Sequence, residues 1–137
     1  MAAAGNLVAK GVVEFPAPGL EVLGLVRDAH VGVLMTDPAF AVEGLSNSIM
    51  EYMALGLPVV CGEGGGNDEL VREGITGFVV PPADPAALAD KLVHLRQHEI
   101  ERLAMGAAGR DRILAEFSVS KMVSRMLRVY AEAMDRW

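Results

Sequence analysis

The sequence predicts an α/β fold in which a parallel sheet is covered by helices on both faces. Short apolar runs of strand length alternate with longer segments of helical periodicity. The apolar runs are continuous rather than alternating, as expected for strands that are buried on both sides. At 137 residues, with 52% hydrophobic and 22% charged side chains, the chain suits one globular domain.

The first half of the chain is predicted to form two strands and two helices. Residues 6–13 form a short apolar run, which we interpret as a strand ending near a glycine. Residues 20–29 repeat leucine and valine at helical spacing. The continuous apolar run 30–36 has the length of a buried strand. A helix is then predicted over 46–55, because a serine and an asparagine can cap its start and Gly56 stops it.

The second half is predicted to continue the alternation and to end in helices. Residues 58–61 form a buried strand, and a glycine-rich turn leads into a short helix at 68–74. Residues 76–80 form the next strand. Asp84 as the N-cap, followed by a proline at the first helical position, predicts a helix that ends near Gln97. Two further helices are predicted at 99–116 and 119–135, the second capped by Ser118.

Composition and charge exclude several classes of protein. The net charge of −6 argues against a nucleic-acid surface, which needs a basic stripe. No apolar run approaches the roughly 18 residues of a membrane-spanning helix, and the first ten residues lack the layout of a secretory signal. The single cysteine, Cys61, cannot form an internal disulfide. We therefore expect a cytoplasmic protein without a transmembrane segment and without a nucleic-acid partner.

Two glutamates stand out in the stretch EGLSNSIMEYMALGLPVV, residues 43–60. Glu43 falls in the loop after a predicted strand, and Glu51 lies about one turn inside the next helix. The N–H groups at a helix N-terminus can hold a phosphate without any basic side chain, and a carboxylate one turn further along can accept hydrogen bonds from both hydroxyls of a ribose. This spacing suits a nucleotide-sugar, although a loop acid and a solvated helix acid are the ordinary interpretation of an isolated pair.

Three other features favour a structural interpretation. The glycines at 64–66 do not fit a dinucleotide or P-loop spacing, so a tight turn is the better prediction. His94 and His98 have the spacing of zinc ligands on a helix, but the sequence shows no third ligand, and surface histidines are favoured. Cys61 ends a buried strand and is predicted to be a core residue rather than a nucleophile.

The chain resembles the C-terminal, donor-binding domain of the group 1 (family 4) retaining glycosyltransferases, which have the two-domain GT-B fold. The family's motif is a glutamate, seven residues and a second glutamate, as in residues 43–51. Further matches follow in the right order over practically the whole chain. They are LVAKGVV (7–13), LVRDAHVGVLM (25–35), GGNDELV (65–71), GITGFVVPPADPAALADKL (74–92) and FSVSKMVSRMLRVY (117–130).

This resemblance implies a Rossmann-like sheet and a site for a nucleotide-diphosphate sugar. It makes Glu43 the catalytic carboxylate beside the donor sugar and Glu51 the ribose ligand. It implies that the diphosphate and the sugar are contacted by the backbone of Gly44, Leu45, Ser46 and Asn47. The implied reaction is glycosyl transfer with retention at the anomeric carbon, with no metal and no cofactor other than the donor. Uridine, guanosine and adenosine donors all remain open, as do the sugar and the acceptor.

The departures from the family predict a partial domain over residues 1–137. The acceptor-binding N-terminal domain, two strands and the basic pair that grips the diphosphate have no counterpart here. We therefore expect the isolated chain to be inactive and to need either its missing N-terminal half or self-association. The contact surfaces predicted for a partner are the exposed sheet edge at 31–35 and the terminal helix, with Met122, Met126 and Tyr130. The alternative for the edge is that the N-terminal strand folds onto it. The alternative function is a non-catalytic nucleotide-sugar-binding or oligomerisation module derived from a glycosyltransferase.

Overall fold

The computed structural model describes residues 2–16, 22–36 and 44–136, and the side chains within them from residue 6 onward. Helices and strands alternate from the second helix to the third strand, after which three helices follow. In chain order the elements are α1 (Ala2–Ala9), α2 (Val22–Arg27), β1 (Gly32–Leu34), α3 (Asn47–Ala54), β2 (Val59–Gly62), α4 (Asn67–Leu70), β3 (Gly77–Val80), α5 (Pro85–Gln97), α6 (Glu99–Glu116) and α7 (Val119–Met134).

The three strands of the described residues form one parallel sheet in the order β1–β2–β3. Val60 at the centre of β2 pairs with Val33 on one side and with Phe78 on the other. All four residues of β2 are buried, as a continuous apolar run predicts for a central strand. The chain therefore has the α/β, Rossmann-like architecture that its sequence predicts.

Helices cover both faces of this sheet. Val59 and Cys61 belong to a buried cluster with Ile49 and Met53 of α3. The side chain of Val60 points to the opposite face, because successive strand residues alternate. There it belongs to a second cluster, which includes Leu95 of α5. Strand β2 thus contributes side chains to both halves of the core.

Helix α6 packs along both clusters and fixes the far end of α3. Its Met105 belongs to the α5 side of the core, whereas Ile113 belongs to the α3 side. Between them, Gly106 lies so close to the backbone of Gly56 that a Cβ atom there would overlap the Gly56 carbonyl oxygen. Glycine at this position therefore permits the close approach of two backbones.

Most of the predicted elements are confirmed. Helix α5 begins and ends as predicted, and the Asp84 carboxylate accepts hydrogen bonds from the N–H groups of Ala86 and Ala87, both at 3.0 Å. Ser118 caps α7. Gly56 ends α3 in the left-handed conformation, with φ of +79°. Of the predicted helix 20–29, Val22–Arg27 is helical and forms α2.

The predicted strand at 6–13 is wrong, because residues 6–9 are the end of a helix and residues 10–13 form a turn. Helix α1 ends at Ala9, and Gly11 then adopts a left-handed φ of +65°. The N–H of Gly11 bonds to the Val8 carbonyl oxygen at 3.0 Å, and the N–H of Val12 bonds to the Leu7 carbonyl oxygen at 2.9 Å. This is the Schellman pattern of a helix C-terminus. A rearranged N-terminal strand therefore does not cover the edge of the sheet.

Two apolar surfaces have no cover among the described residues. Strand β1 forms an edge of the sheet, and its Val33 is exposed. Helix α7 buries none of its side chains, and Met122, Met126 and Tyr130 are 54%, 46% and 58% exposed. The predicted exposed edge and the predicted exposed stripe on the terminal helix are both present. No described helix is long and apolar enough to cross a membrane.

Candidate functional site

The start of α3 has no capping side chain among the residues that the structure describes. Ser46 is the N-cap residue, with extended backbone angles, but its buried side chain makes no capping hydrogen bond. The first intrahelical bond runs from the N–H of Met50 to the Ser46 carbonyl oxygen, at 3.1 Å. Within the described ranges, nothing accepts a hydrogen bond from the N–H groups of Asn47, Ser48 or Ile49. These groups and the helix dipole make this terminus suitable for an anion.

This terminus lies at the carboxyl-end edge of the parallel sheet. Gly44 belongs to the connection after β1, and its carbonyl oxygen accepts a hydrogen bond of 3.2 Å from the N–H of Gly66, in the connection after β2. The end of β2 is also adjacent to the end of β1, because a Cβ on Gly62 would lie 3.8 Å from the Thr36 carbonyl oxygen. Open α/β sheets bind their ligands at this edge.

The glycine-rich turn supports the residues before α3. A Cβ atom on Gly66 would lie 2.7 Å from the carbonyl oxygen of Gly44 and 2.9 Å from the backbone nitrogen of Leu45. Gly64 and Gly65 have φ of +111° and +63°, which glycine adopts most readily. The tight-turn interpretation of these glycines is confirmed, and Gly66 has the further role of allowing two connections to touch.

Asn67 is a buried polar residue that sequence reasoning missed. Its Nδ2 donates a hydrogen bond of 2.8 Å to the Gly62 carbonyl oxygen, which ties the turn to the end of β2. Its Oδ1 is buried and accepts no hydrogen bond from the described residues. An asparagine after three glycines is typical of a turn, so the sequence carries no signal for this burial.

Glu51 lies on the solvent-facing side of α3. Ile49 and Met53 face the core and are fully buried, whereas Glu51 and Asn47 are exposed. Asn47 and Glu51 are four residues apart and therefore share one face of the helix. Of the predicted site residues, the structure brings Gly44, Leu45, Ser46, Asn47 and Glu51 together around the start of α3. Glu43 lies outside the described residues.

Cys61 is a core residue, as predicted. It is fully buried, and burial raises the pKa of its thiol to about 12, with smaller contributions from the negative charges of Asp68 and Glu73. The thiol therefore stays protonated and unreactive at neutral pH. Beyond the glycine turn lies a cavity of about 910 Å³ that Glu63, Asp68 and Glu73 help to line. Arg72 also lines this cavity, but three carboxylates against one guanidinium leave a net negative charge that disfavours a diphosphate.

His94 of α5 and His98, the residue that follows this helix, are not isolated on the surface. The Nε2 atom of His94 lies 2.9 Å from the Oε2 atom of Glu101, at the start of α6. The rings of His94 and His98 stack with centroids 4.2 Å apart. The two histidines lie at the surface as predicted, since His98 is exposed and His94 is half-buried. The sequence shows no third ligand, but the connection between α5 and α6 brings Glu101 beside them.

Comparison with known proteins identifies the family. Residues 4–98 match the family of glycosyl transferases group 1. A GDP-mannose-dependent monoacylated alpha-(1-6)-phosphatidylinositol monomannoside mannosyltransferase of Corynebacterium glutamicum is 41% identical over 88 residues, which are 64% of this chain and 23% of that protein. The phosphatidyl-myo-inositol mannosyltransferase of Mycobacterium leprae is 33% identical over 128 residues, which are 89% of this chain and 33% of the relative.

The fold is shared with a solved complex that contains UDP and glucose. The crystal structure of Anabaena HepE in complex with UDP and glucose superimposes with a TM-score of 0.82, at 19% identity, over 96% of this chain and 36% of that one. The chain belongs to the group 1 glycosyltransferases. It spans between 23% and 36% of the length of these three proteins.

Proposed function

We propose that the chain is the donor-binding part of a retaining glycosyltransferase, which transfers a sugar from a nucleotide diphosphate to an acceptor. The observation that carries this proposal is the uncapped start of α3, followed one turn later by the exposed Glu51. Membership of the group 1 family adds weight, because such an arrangement on an unrelated chain would be an ordinary helix start.

The diphosphate binds at the backbone N–H groups of Asn47, Ser48 and Ile49. These groups lie at the positive end of the α3 dipole, and their hydrogen bonds to an anion are charge-assisted. The leaving nucleotide diphosphate gains negative charge in the transition state, so donors that are already in place lower the barrier. The connection from Gly44 to Ser46 is held by the glycine-rich turn and contacts the diphosphate and the sugar.

Glu51 binds the ribose. An exposed carboxylate on the same face as Asn47, one turn beyond the diphosphate site, accepts hydrogen bonds from the two vicinal hydroxyls. Glu43 stabilises the positive charge that develops on the donor sugar. This role for Glu43 rests on the position of the residue in the family's motif.

The donor is a nucleotide-diphosphate sugar, and no divalent metal or other cofactor takes part in the transfer. One relative is named as GDP-mannose-dependent, and one structural neighbour holds UDP and glucose. Both names support the donor class, and together they leave the base open. We further propose a cytoplasmic location, where nucleotide-sugars are available.

Calorimetric titration with UDP, GDP and ADP tests this proposal. We expect saturable binding of one nucleotide to the wild-type chain and at least roughly tenfold weaker binding after Glu51→Ala, because a charge-assisted hydrogen bond contributes about 1.5–3 kcal/mol. Glu132→Ala is the matched control, since Glu132 is an exposed glutamate on α7. Equal losses in both variants, or no binding by a chain that unfolds cooperatively, would contradict the proposed site in this chain.

A second candidate function is a binding or assembly module without catalytic activity. The exposed edge strand β1 and the exposed apolar stripe of α7 favour it, because unpaired edges and large apolar patches recruit partners. In this case the chain pairs with a second copy or with an acceptor-binding domain. Sedimentation of the wild type and of Met126→Lys tests self-association. A dimer that the substitution dissociates supports assembly through α7. A monomer at all concentrations contradicts self-association.

A further inference from the structure

We propose that His94, His98 and Glu101 form a binding site for Zn²⁺ at the junction of α5 and α6. Each residue offers one ligand atom, and the three atoms all lie within 4.8 Å of one another. Two imidazoles and one carboxylate are a donor set that Zn²⁺ takes in proteins, with a fourth position open to water. The site has no role in the proposed sugar transfer.

The side chains are already close to the arrangement that a tetrahedral ion requires. Ligand atoms about 2.0–2.1 Å from Zn²⁺ are separated from one another by roughly 3.3 Å. The Nε2 atom of His94 and the Oε2 atom of Glu101 are 2.9 Å apart, so they need to separate by only a few tenths of an ångström. The ligand atom of His98 lies within 4.8 Å of both of these atoms, so it must approach each of them by at most roughly 1.5 Å.

The hydrogen bonding of His98 favours a metal ligand. Its Nδ1 atom lies 2.8 Å from the His94 carbonyl oxygen, an acceptor, so Nδ1 carries the proton and donates. The Nε2 atom of His98 is then unprotonated and has its lone pair available. Metal-binding histidines usually donate their other ring N–H to a carbonyl or carboxylate in this way, which fixes both the tautomer and the orientation of the ring.

The backbone holds His98 between the two helices. It is at once the residue that ends α5 and the residue that precedes α6, and its own N–H bonds to the His94 carbonyl oxygen at 3.0 Å. His94 is also positioned from its other side, because its ring meets Phe78 edge to face with centroids 5.7 Å apart. A bound ion therefore joins the last turn of α5 to the first turn of α6.

The surrounding charges permit a cation. A cavity of about 570 Å³ is lined by His94 and Glu101 together with Asp90 and Lys91. The Nζ atom of Lys91 lies over the Phe78 ring at 4.2 Å from its centroid and within 3.9 Å of a Glu73 carboxylate oxygen. Its charge is thus partly compensated, and Asp90 adds a second carboxylate to the same cavity.

Calorimetric titration of the full, tag-free chain with Zn²⁺ tests the site. We expect one saturable site, at least roughly tenfold weaker after His98→Ala. His30→Ala is the matched control, because His30 is the one histidine of the sequence outside the cluster. Mg²⁺ should give no saturable binding, since it prefers oxygen ligands in octahedral geometry.

Glu101→Gln separates metal binding from a merely structural role. Glutamine keeps the size of the side chain and can still hydrogen-bond to His94, but its neutral amide is a poor zinc ligand. With the ion at about ten times its Kd, the melting temperature of the wild type should rise by roughly 4 °C or more, and that of Glu101→Gln should rise little. The proposal is overturned by absent Zn²⁺ binding, by equal losses in the His30 and His98 variants, or by a Glu101→Gln variant that responds like the wild type.

Discussion

Helices α3 and α5 begin in opposite ways. At α5, the Asp84 carboxylate accepts hydrogen bonds from two N–H groups of the first turn, so a side chain of the chain itself satisfies them. At α3, the Ser46 side chain makes no capping bond, and the first-turn N–H groups have no partner within the part of the chain that the structure describes. A capped start stabilises a helix, whereas an open start can bind an anion.

Helix α3 does not depend on a capping side chain for its stability, because other contacts hold it in place. Ile49 and Met53 anchor its inner face in the core, and α6 packs against its far end at Gly56. Helix α5 buries only Leu95 completely, so its cap matters more. An uncapped N-terminus in a helix that is otherwise firmly packed is therefore better explained by binding than by stability.

The largest loss of stability is expected when the close packing of α6 against the end of α3 is disturbed. Gly106→Ala places a methyl group on the Gly56 carbonyl oxygen, and neither backbone can yield easily. We expect a loss of roughly 3 kcal/mol in the free energy of unfolding, measured by urea denaturation. Gly109→Ala is the control, because a Cβ there would meet the nearest atoms of Met53 at 3.6 Å, an ordinary contact. It should be neutral or stabilising by up to about 1 kcal/mol. Equal losses would show that the close packing of α6 is not decisive.

The next largest effect is expected from giving α3 the cap that α5 has. Ser46→Asp supplies a carboxylate to the first-turn N–H groups and repels a diphosphate. We expect nucleotide binding to weaken at least roughly tenfold, which is about 1.4 kcal/mol, while stability is kept or slightly raised. Ser46→Asn has the same shape without the charge and should lose less affinity. If Ser46→Asp binds nucleotide as the wild type does, the diphosphate does not lie at this terminus.

The smallest effects are expected when the N-cap side chain of each helix is removed in turn. Asp84→Ala removes two hydrogen bonds and should cost about 1 kcal/mol of stability without changing nucleotide affinity. Ser46→Ala removes a hydroxyl that caps nothing and should stay within about 0.5 kcal/mol. Chemical denaturation of both variants measures the difference. A cost for Ser46→Ala as large as that for Asp84→Ala would mean that Ser46 caps α3 in solution.

The elements with explicit caps could be predicted from sequence almost to the residue. Asp84 with its following proline, Ser118 and Gly56 mark helix ends by chemistry that acts locally. The segment 6–13 could not be assigned in this way. Its apolar residues fit either a short strand or a helix, and Gly11 ends both, so the tertiary fold decides between them.

The candidate site was predictable in its local part and not in its long-range part. The start of α3 and the position of Glu51 follow from spacing along one helix. The contact between Gly44 and Gly66 joins two connections that are distant in sequence, and the approach of Glu101 to His94 depends on the turn geometry at His98. Predicting such contacts requires the three-dimensional path of the backbone, which residue spacing alone does not reveal.

The most direct test of the central claim compares the two helix starts in one experiment. The backbone amide resonances of the ¹⁵N-labelled chain are followed during titration with the nucleotide diphosphate that binds in calorimetry. We predict saturable shifts at Asn47, Ser48 and Ile49, with Ala86 and Ala87 at the capped start of α5 unchanged. Shifts elsewhere with 47–49 unaffected, or equal shifts at both starts, would contradict the claim that the open N-terminus of α3 is the diphosphate site.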